Sequence, residues 1–198
     1  MHEANSTTRE RETNMKRALL VIDVQNEYFS GAMPVTYPEN SLERITRAID
    51  TANEADIPVV LVQHAETEEG GKIFRKGSQT WELRPEVAER KHDLLIEKNL
   101  PGSFTGTQLE DWLRERGIDS VVISGYMTQM CCDTTARQAA HRGFNVEFLS
   151  DATGTLAFRN SEGEVSAEDL HKTILVVQQS GFSQVKTTEE WINETKNA

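Results

Sequence analysis

Four short runs of nearly unbroken apolar residues limit this chain to few architectures. They are "ALLVIDVQ" (18–25), "PVVLVQH" (58–64), "DLLIEK" (93–98) and "SVVISG" (120–125). A strand with one wet face alternates apolar and polar residues; a strand covered on both faces does not. Two further runs, "NVEFLS" (145–150) and "SQVKT" (183–187), continue the series. Amphipathic stretches lie between and after them. Residues 40–55 space Leu42, Ile45, Ile49 and Ala52 at helical intervals behind an Asn or Ser cap. Residues 107–116 close at Gly117 and residues 131–142 at Gly143, and residues 166–180 open on a Ser-x-x-Asp cap signal. A last helix is expected over 188–196. The alternation predicts a three-layer α/β/α domain around a six-stranded parallel sheet, in the order 3-2-1-4-5-6 with right-handed crossovers.

The chain has 198 residues, enough for one sizeable core and short for two. Residues 1–16 are polar and mixed in charge, and read as a flexible tail without the apolar segment of a secretory signal. Residues 17–198 read as a single domain. The net charge of −11, with no Lys/Arg cluster to offset it, disfavours nucleic acid as a partner. No apolar run approaches the roughly 20 residues that span a bilayer, so no membrane partner is expected. Two adjacent cysteines cannot build a disulfide framework, which fits a reducing compartment and a cytoplasmic setting.

In an open parallel sheet, ligands bind beyond the carboxyl ends of the strands. Asp23 comes late in the first run, His64 ends the second, Lys98 ends the third, and Cys131 follows the fourth at the start of a helix. A helix N-terminus and a nearby ammonium both favour a thiolate, and a carboxylate can take the thiol proton. Asp23, Lys98 and Cys131 thus form a candidate activated nucleophile. Taken singly, each has an ordinary structural explanation; their convergence on one sheet edge carries the reading. The order puts Lys98 two strands from Asp23, about 10 Å by strand spacing, so its stem must lean inward. Between the cysteines, Cys132 shares a helix face with Ala136, Ala139 and Ala140, and reads as core filler. Cys131 shares its face with Thr135, Gln138 and Arg142, and reads as the nucleophile.

The stretch "GYMTQMCCDTTARQAAHRG" (125–143) resembles the signature of the isochorismatase-like cysteine hydrolases, roughly G-x-x-T-x-x-C-V-x-x-T-x-R-x-A-x-x-x-G. "ALLVIDVQNEYF" is similar to that family's opening segment, "EKNLPGSFTGTQL" to its Lys-containing segment and "SDATGT" to its fifth strand end. The resemblance runs from about residue 17 to 192. It implies catalytic Asp23, Lys98 and Cys131, and a homo-oligomer. It also implies a non-proline cis peptide at Met127–Thr128, which would aim the Thr128 N–H, with that of Cys131, at a substrate oxygen. Cys132 stands where the family has Val, and Glu27 where it has Asp. The nicotinamidase branch carries a metal-binding Asp-x-His with a further His downstream. Here "VQHAE" offers His64 alone, so neither a metal nor another cofactor is expected.

The function expected is hydrolysis of a C–N amide-type bond of a small molecule through a Cys131 thioester. Two alternatives remain: vinyl-ether hydrolysis of the isochorismatase type, which needs no thiol, and a catalytically inactive oligomeric binding protein. Phe29, His64, Trp81 and Phe158 are candidate pocket residues. The long polar segment 65–92 is expected to be a lid, a pocket wall or a subunit contact.

Overall fold

The computed structural model describes residues 15–66 and 71–197. Most of the expected tail (residues 1–14) and part of the segment 65–92 (residues 67–70) lie outside the described residues. The strands are β1 (Arg17–Ile22), β2 (Val59–His64), β3 (Leu94–Lys98), β4 (Ser120–Tyr126), β5 (Asn145–Gly154), β6 (Phe158–Asn160), β7 (Gly163–Val165) and β8 (Gln184–Lys186). The helices are α1 (Ser41–Glu54), α2 (Pro85–Ala88), α3 (Leu109–Glu115), α4 (Asp133–His141), α5 (Ala167–Gly181) and α6 (Thr188–Lys196).

Six strands form one parallel sheet in the order β3-β2-β1-β4-β5-β8. This is the expected order, with β8 as the sixth strand. Alternate residues of each central strand serve opposite faces. Ala18, Leu20, Ile22, Val60, Val62, Val121 and Ile123 pack with Leu109 and Leu113 of α3 and Ala136 and Ala139 of α4. Leu19, Val21, Val59, Leu61 and Val122 pack instead with Ile45, Ala48, Ile49 and Ala52 of α1 and with Trp191 and Ile192 of α6. Burial on both faces is why these strands read as continuous apolar runs. The Ser166 side chain accepts from the Asp169 N–H as the cap signal implied, and Thr187 with Glu190 closes a capping box on α6.

Several elements were not foreseen, a 3-10 turn at Asn26–Tyr28 among them. The antiparallel hairpin β6–β7 is built from "FRNSEGEV", which is almost wholly exposed and has no apolar pattern to read. Helix α2 is one turn that starts at Pro85. Between β4 and α4, residues Thr128–Cys132 form a π-helical turn in which the Cys132 N–H bonds the Met127 carbonyl.

Two local features shape the sheet edge that matters. Gly125 pairs with Ile22 at φ +111°, and a Cβ there would lie 2.0 Å from the Ile22 carbonyl oxygen. Only glycine permits β1 and β4 to approach so closely at their carboxyl ends. In β5 the register slips. Phe148 pairs with Ile123 but Thr153 with Gly125, so β5 carries extra residues, Ser150 among them, outside the β4 ladder.

Candidate active site

At the end of β1 the chain turns through Asp23, whose φ of +51° lies in the left-handed region that aspartate tolerates better than most residues. Its N–H still bonds the Val62 carbonyl at 2.9 Å, so the side chain is aimed from a fixed backbone. Lys98 is the last residue of β3, in register with His64. Its stem crosses β2 and brings Nζ to 2.7 Å from Asp23 Oδ2, 3.3 Å from Cys131 Sγ and 3.3 Å from His64 Nδ1. Three partners account for the three N–H bonds of an ammonium. Cys131 comes in from the π-helical turn that caps β4. Asp23 is 0% exposed, Lys98 1% and Cys131 7%. The side chains of Asp23, Lys98 and Cys131 therefore meet, with the sulfur nearest to solvent.

The electrostatics are those of a site out of water. Burial works against the charge on Lys98, but Asp23 and Cys131 outweigh it and hold the pKa above its usual value. Burial, then the Lys98 charge, push His64 down. His64 is thus neutral near pH 7, with Nδ1 accepting from Lys98 and the proton on Nε2. Burial, then the Asp23 charge, push the Cys131 thiol up against the opposing pull of Lys98. The helix terminus and the ammonium, which favour a thiolate, are only part of the balance. In the structure desolvation is the larger effect, so the resting sulfur is a thiol. Asp23 Oδ1 is buried and has no partner at full hydrogen-bond geometry among the described residues, while Asp23 still acts on the thiol through charge and a side-chain hydrogen bond. One carboxylate oxygen is bound to the ammonium and the other is free to receive a proton.

The cis peptide bond lies at Tyr126–Met127, one bond before the expected Met127–Thr128. Strand pairing runs through Tyr126, opposite Gly154, and the helical turn starts at Thr128, so Met127 alone makes the junction. Among the described residues the N–H groups of Met127 and Thr128 make no backbone–backbone hydrogen bond.

Of the four pocket candidates, His64 touches the triad. Phe29 packs edge-on against Tyr126 at 5.7 Å and beneath the Arg84 guanidinium at 4.7 Å. With Val35, Thr36, Asn40 and Tyr126 it lines a cavity of about 330 Å³ that does not include the triad. Trp81 is half-buried and its indole N–H is buried without a partner among the described residues. Phe158 is half-buried on β6, against the core layer that holds α1.

The described part of segment 65–92 is stitched to the site. Asn26 and Glu27 N–H groups bond the Glu82 and Thr80 carbonyls, and Arg84 N–H bonds that of Val24. Gln25, 0% exposed, joins the two sides. It clasps the His64 backbone through both amide atoms, at 2.8 and 2.9 Å, and donates to the Trp81 carbonyl at 2.7 Å. Gln63 donates to the same carbonyl at 3.0 Å. Sequence reasoning missed Gln25; a buried amide in "VQNEY" gives no periodic signal. It also missed Tyr28 and Phe74, which continue an aromatic wall from Tyr126 to His64 with centroid separations of 5.1–5.5 Å. Burial, then the Cys131 and Asp23 charges, raise the Tyr28 pKa, which keeps its phenol protonated.

The site can hold a thiol, take its proton on a carboxylate and balance the charge with an ammonium. Among the described residues no three His, Cys, Asp or Glu side chains gather as metal ligands, and no helix is long and apolar enough to cross a membrane.

Comparison with known proteins matches residues 17–190 to the Isochorismatase domain. A crystal structure of an isochorismatase-type protein from Burkholderia xenovorans LB400 superposes with a TM-score of 0.90 at 47% identity, covering 92% of this chain and 88% of that one. A cysteine hydrolase from Pseudomonas syringae pv. phaseolicola gives 0.86 at 26% identity, over 92% and 93% of the two chains. Nicotinamidase 3 of Arabidopsis thaliana is 33% identical over 89% of this chain and 87% of its own length.

Proposed function

Since the chain is a hydrolase and belongs to the isochorismatase family, we propose that it cleaves a C–N amide-type bond of a small molecule through a thioester on Cys131. The observation that carries this reading is the Lys98 ammonium, 2.7 Å from Asp23 and 3.3 Å from the Cys131 sulfur. Asp23 Oδ1 takes the thiol proton, and the sulfur attacks the substrate carbonyl. The tetrahedral oxyanion is met by the Cys131 N–H together with the free amides that precede it, Thr128 and Met127. As the C–N bond breaks, Asp23 returns the proton to the leaving nitrogen. Water, deprotonated by Asp23, then cleaves the thioester, and the sulfur regains its proton as the acid leaves. Lys98 keeps its charge throughout and steadies first the carboxylate, then the sulfur.

His64 Nε2–H and the Trp81 indole N–H support a substrate that carries a hydrogen-bond acceptor beyond the scissile carbonyl. Phe29 and Phe158 complete the wall we propose for it. The two free cysteines support a cytoplasmic setting. The exposed Val176 and Val177 on α5 support a homo-oligomer, which light scattering of the purified protein measures.

The test is a panel of small amides, ureides and carbamoyl compounds scored for ammonia release, with Cys131→Ser alongside. At least one compound should be turned over, and Cys131→Ser should abolish that turnover while melting like the parent. Full activity in Cys131→Ser would remove the covalent route.

A further inference from the structure

Thr128 opens the turn that carries Cys131, and its side chain is 0% exposed. Its hydroxyl lies 2.8 Å from Nδ1 of His171, a residue of α5 that is 3% exposed. The other ring nitrogen, Nε2, lies 2.9 Å from the Ser150 carbonyl. A carbonyl can only accept, so Nε2 carries the proton. Burial lowers the His171 pKa, so the ring is neutral near pH 7 and Nδ1 offers a lone pair. The direction of the chain is thereby fixed: Thr128 O–H donates to His171, and His171 N–H donates to Ser150.

Each end of this relay is tied to the backbone at a place where the sheet is irregular. Ser150 belongs to the extra residues that the register slip leaves outside the β4–β5 ladder, so its carbonyl is available to the imidazole. Thr128 belongs to the π-helical turn that delivers the nucleophile. The Tyr37 ring, edge-on at 5.4 Å, packs against the imidazole. The hydroxyl hydrogen of Thr128 is spent on His171, so Thr128 can serve a substrate oxygen only through its main-chain N–H. That makes the placement of the N–H, rather than the hydroxyl, the quantity that matters.

We propose that His171 is a positioning residue, which holds the Thr128 end of the nucleophile turn in register with the oxyanion through the Ser150–His171–Thr128 chain. The inference rests on the reading of Cys131 as the nucleophile. Sequence alone gave no hint of it, since His171 sits unmarked within an amphipathic helix.

Isosteres separate the two bonds. In His171→Asn the side-chain oxygen can replace Nδ1 and still accept from Thr128. In His171→Gln the amide nitrogen can replace Nε2 and reach Ser150, and the Thr128 bond is lost. Thr128→Val removes the hydroxyl and keeps the main chain. A small misplacement of reacting groups costs on the order of 10²-fold. His171→Gln and Thr128→Val should each therefore lower kcat on the amide identified above by about 10- to 100-fold with KM little changed. His171→Asn should stay within a few-fold of the parent, and the Thr128→Val/His171→Gln double variant should be no worse than either single change. Melting temperatures are recorded for all four.

A substrate-free arm keeps this test apart from the functional reading. The rate at which iodoacetamide alkylates Cys131, followed by mass spectrometry, should shift by a common factor in Thr128→Val and His171→Gln, and stay at the parent value in His171→Asn. Equal losses in His171→Asn and His171→Gln, or multiplying losses in the double variant, would overturn the proposal. If Cys131→Ser keeps its activity while the alkylation pattern holds, the covalent reading falls with the oxyanion role, and the Ser150–His171–Thr128 chain is left only ordering the turn that carries residue 131.

Discussion

Two buried carboxylates sit at opposite ends of the sheet, and they are treated differently. Near the amino ends of β1 and β5, Glu147 gives one oxygen to Arg17 Nε at 2.9 Å and the other to Lys186 Nζ at 2.8 Å. Both oxygens are engaged by cations. At the carboxyl end of β1, Asp23 gives one oxygen to Lys98 and leaves the other without a full partner. A buried charge with both oxygens held by cations can only hold the fold together. A buried charge with an unanswered lone pair beside a thiol can also accept a proton. The contrast separates a structural ion cluster from a chemical one more clearly than burial does, since both carboxylates are almost fully enclosed.

Asp23→Asn breaks the contrast most severely, and its two readouts should move in opposite directions. Loss of the general base should lower amide turnover by roughly 10²–10⁴-fold. Loss of the carboxylate charge removes an upward push on the thiol while the Lys98 pull remains, so the fraction of thiolate grows. Alkylation of Cys131 by iodoacetamide should therefore speed up as hydrolysis collapses. A parallel loss of both would mean that Asp23 only props up the site.

Glu147→Gln makes the complementary change. It takes from Arg17 the anion it bonds and leaves Lys186 with Glu194 alone, and breaking such a part-buried set should cost about 1–3 kcal/mol. The expected result is a lower Tm with kcat unchanged.

Cys132→Val asks whether the adjacent sulfur has any share in the chemistry. Cys132 is 0% exposed among Ala136, Ala139 and the sheet. A near-isosteric apolar replacement there should cost less than about 1.5 kcal/mol and leave turnover within a few-fold in the same ammonia assay.

The smallest effect expected is on pH. His64 and His171 both have pKa values lowered from 6.5, burial being the first cause for each. The unfolded chain takes up these protons more readily, so their contribution to stability is complete above pH 6.5 and is lost as pH falls through the folded values. Denaturant midpoints at pH 7.5 and 5.5 should differ more for the parent than for a His64→Asn/His171→Asn variant.

What the sequence disclosed divides along the same line. The strands that lead to Asp23, His64, Lys98 and Cys131 were legible because burial on two faces leaves an unmistakable apolar run, and because strand order brings those ends to one edge. The inward lean of Lys98 was required by that order. The hairpin "FRNSEGEV" was not legible, since only its ends are half-buried and no apolar period runs through it. Gln25, Tyr28 and His171 were hidden for another reason: each acts through hydrogen bonds or ring contacts to residues distant in sequence, and a one-dimensional period carries no trace of such partners. The cis bond falls one residue before its expected place, directly after the last β4–β5 pair, Tyr126 with Gly154.

Gly125 has a wider implication. The strand that leads to the acid and the strand that leads to the sulfur pack there with no room for a Cβ, which would sit 2.0 Å from the Ile22 carbonyl oxygen. A methyl group at that point would act as a wedge, spreading reactants it never touches. In a saturation survey of this chain, position 125 should therefore be as intolerant as the reactive residues themselves, and a replacement there would disarm the protein by distance alone, with every reactive group still in place.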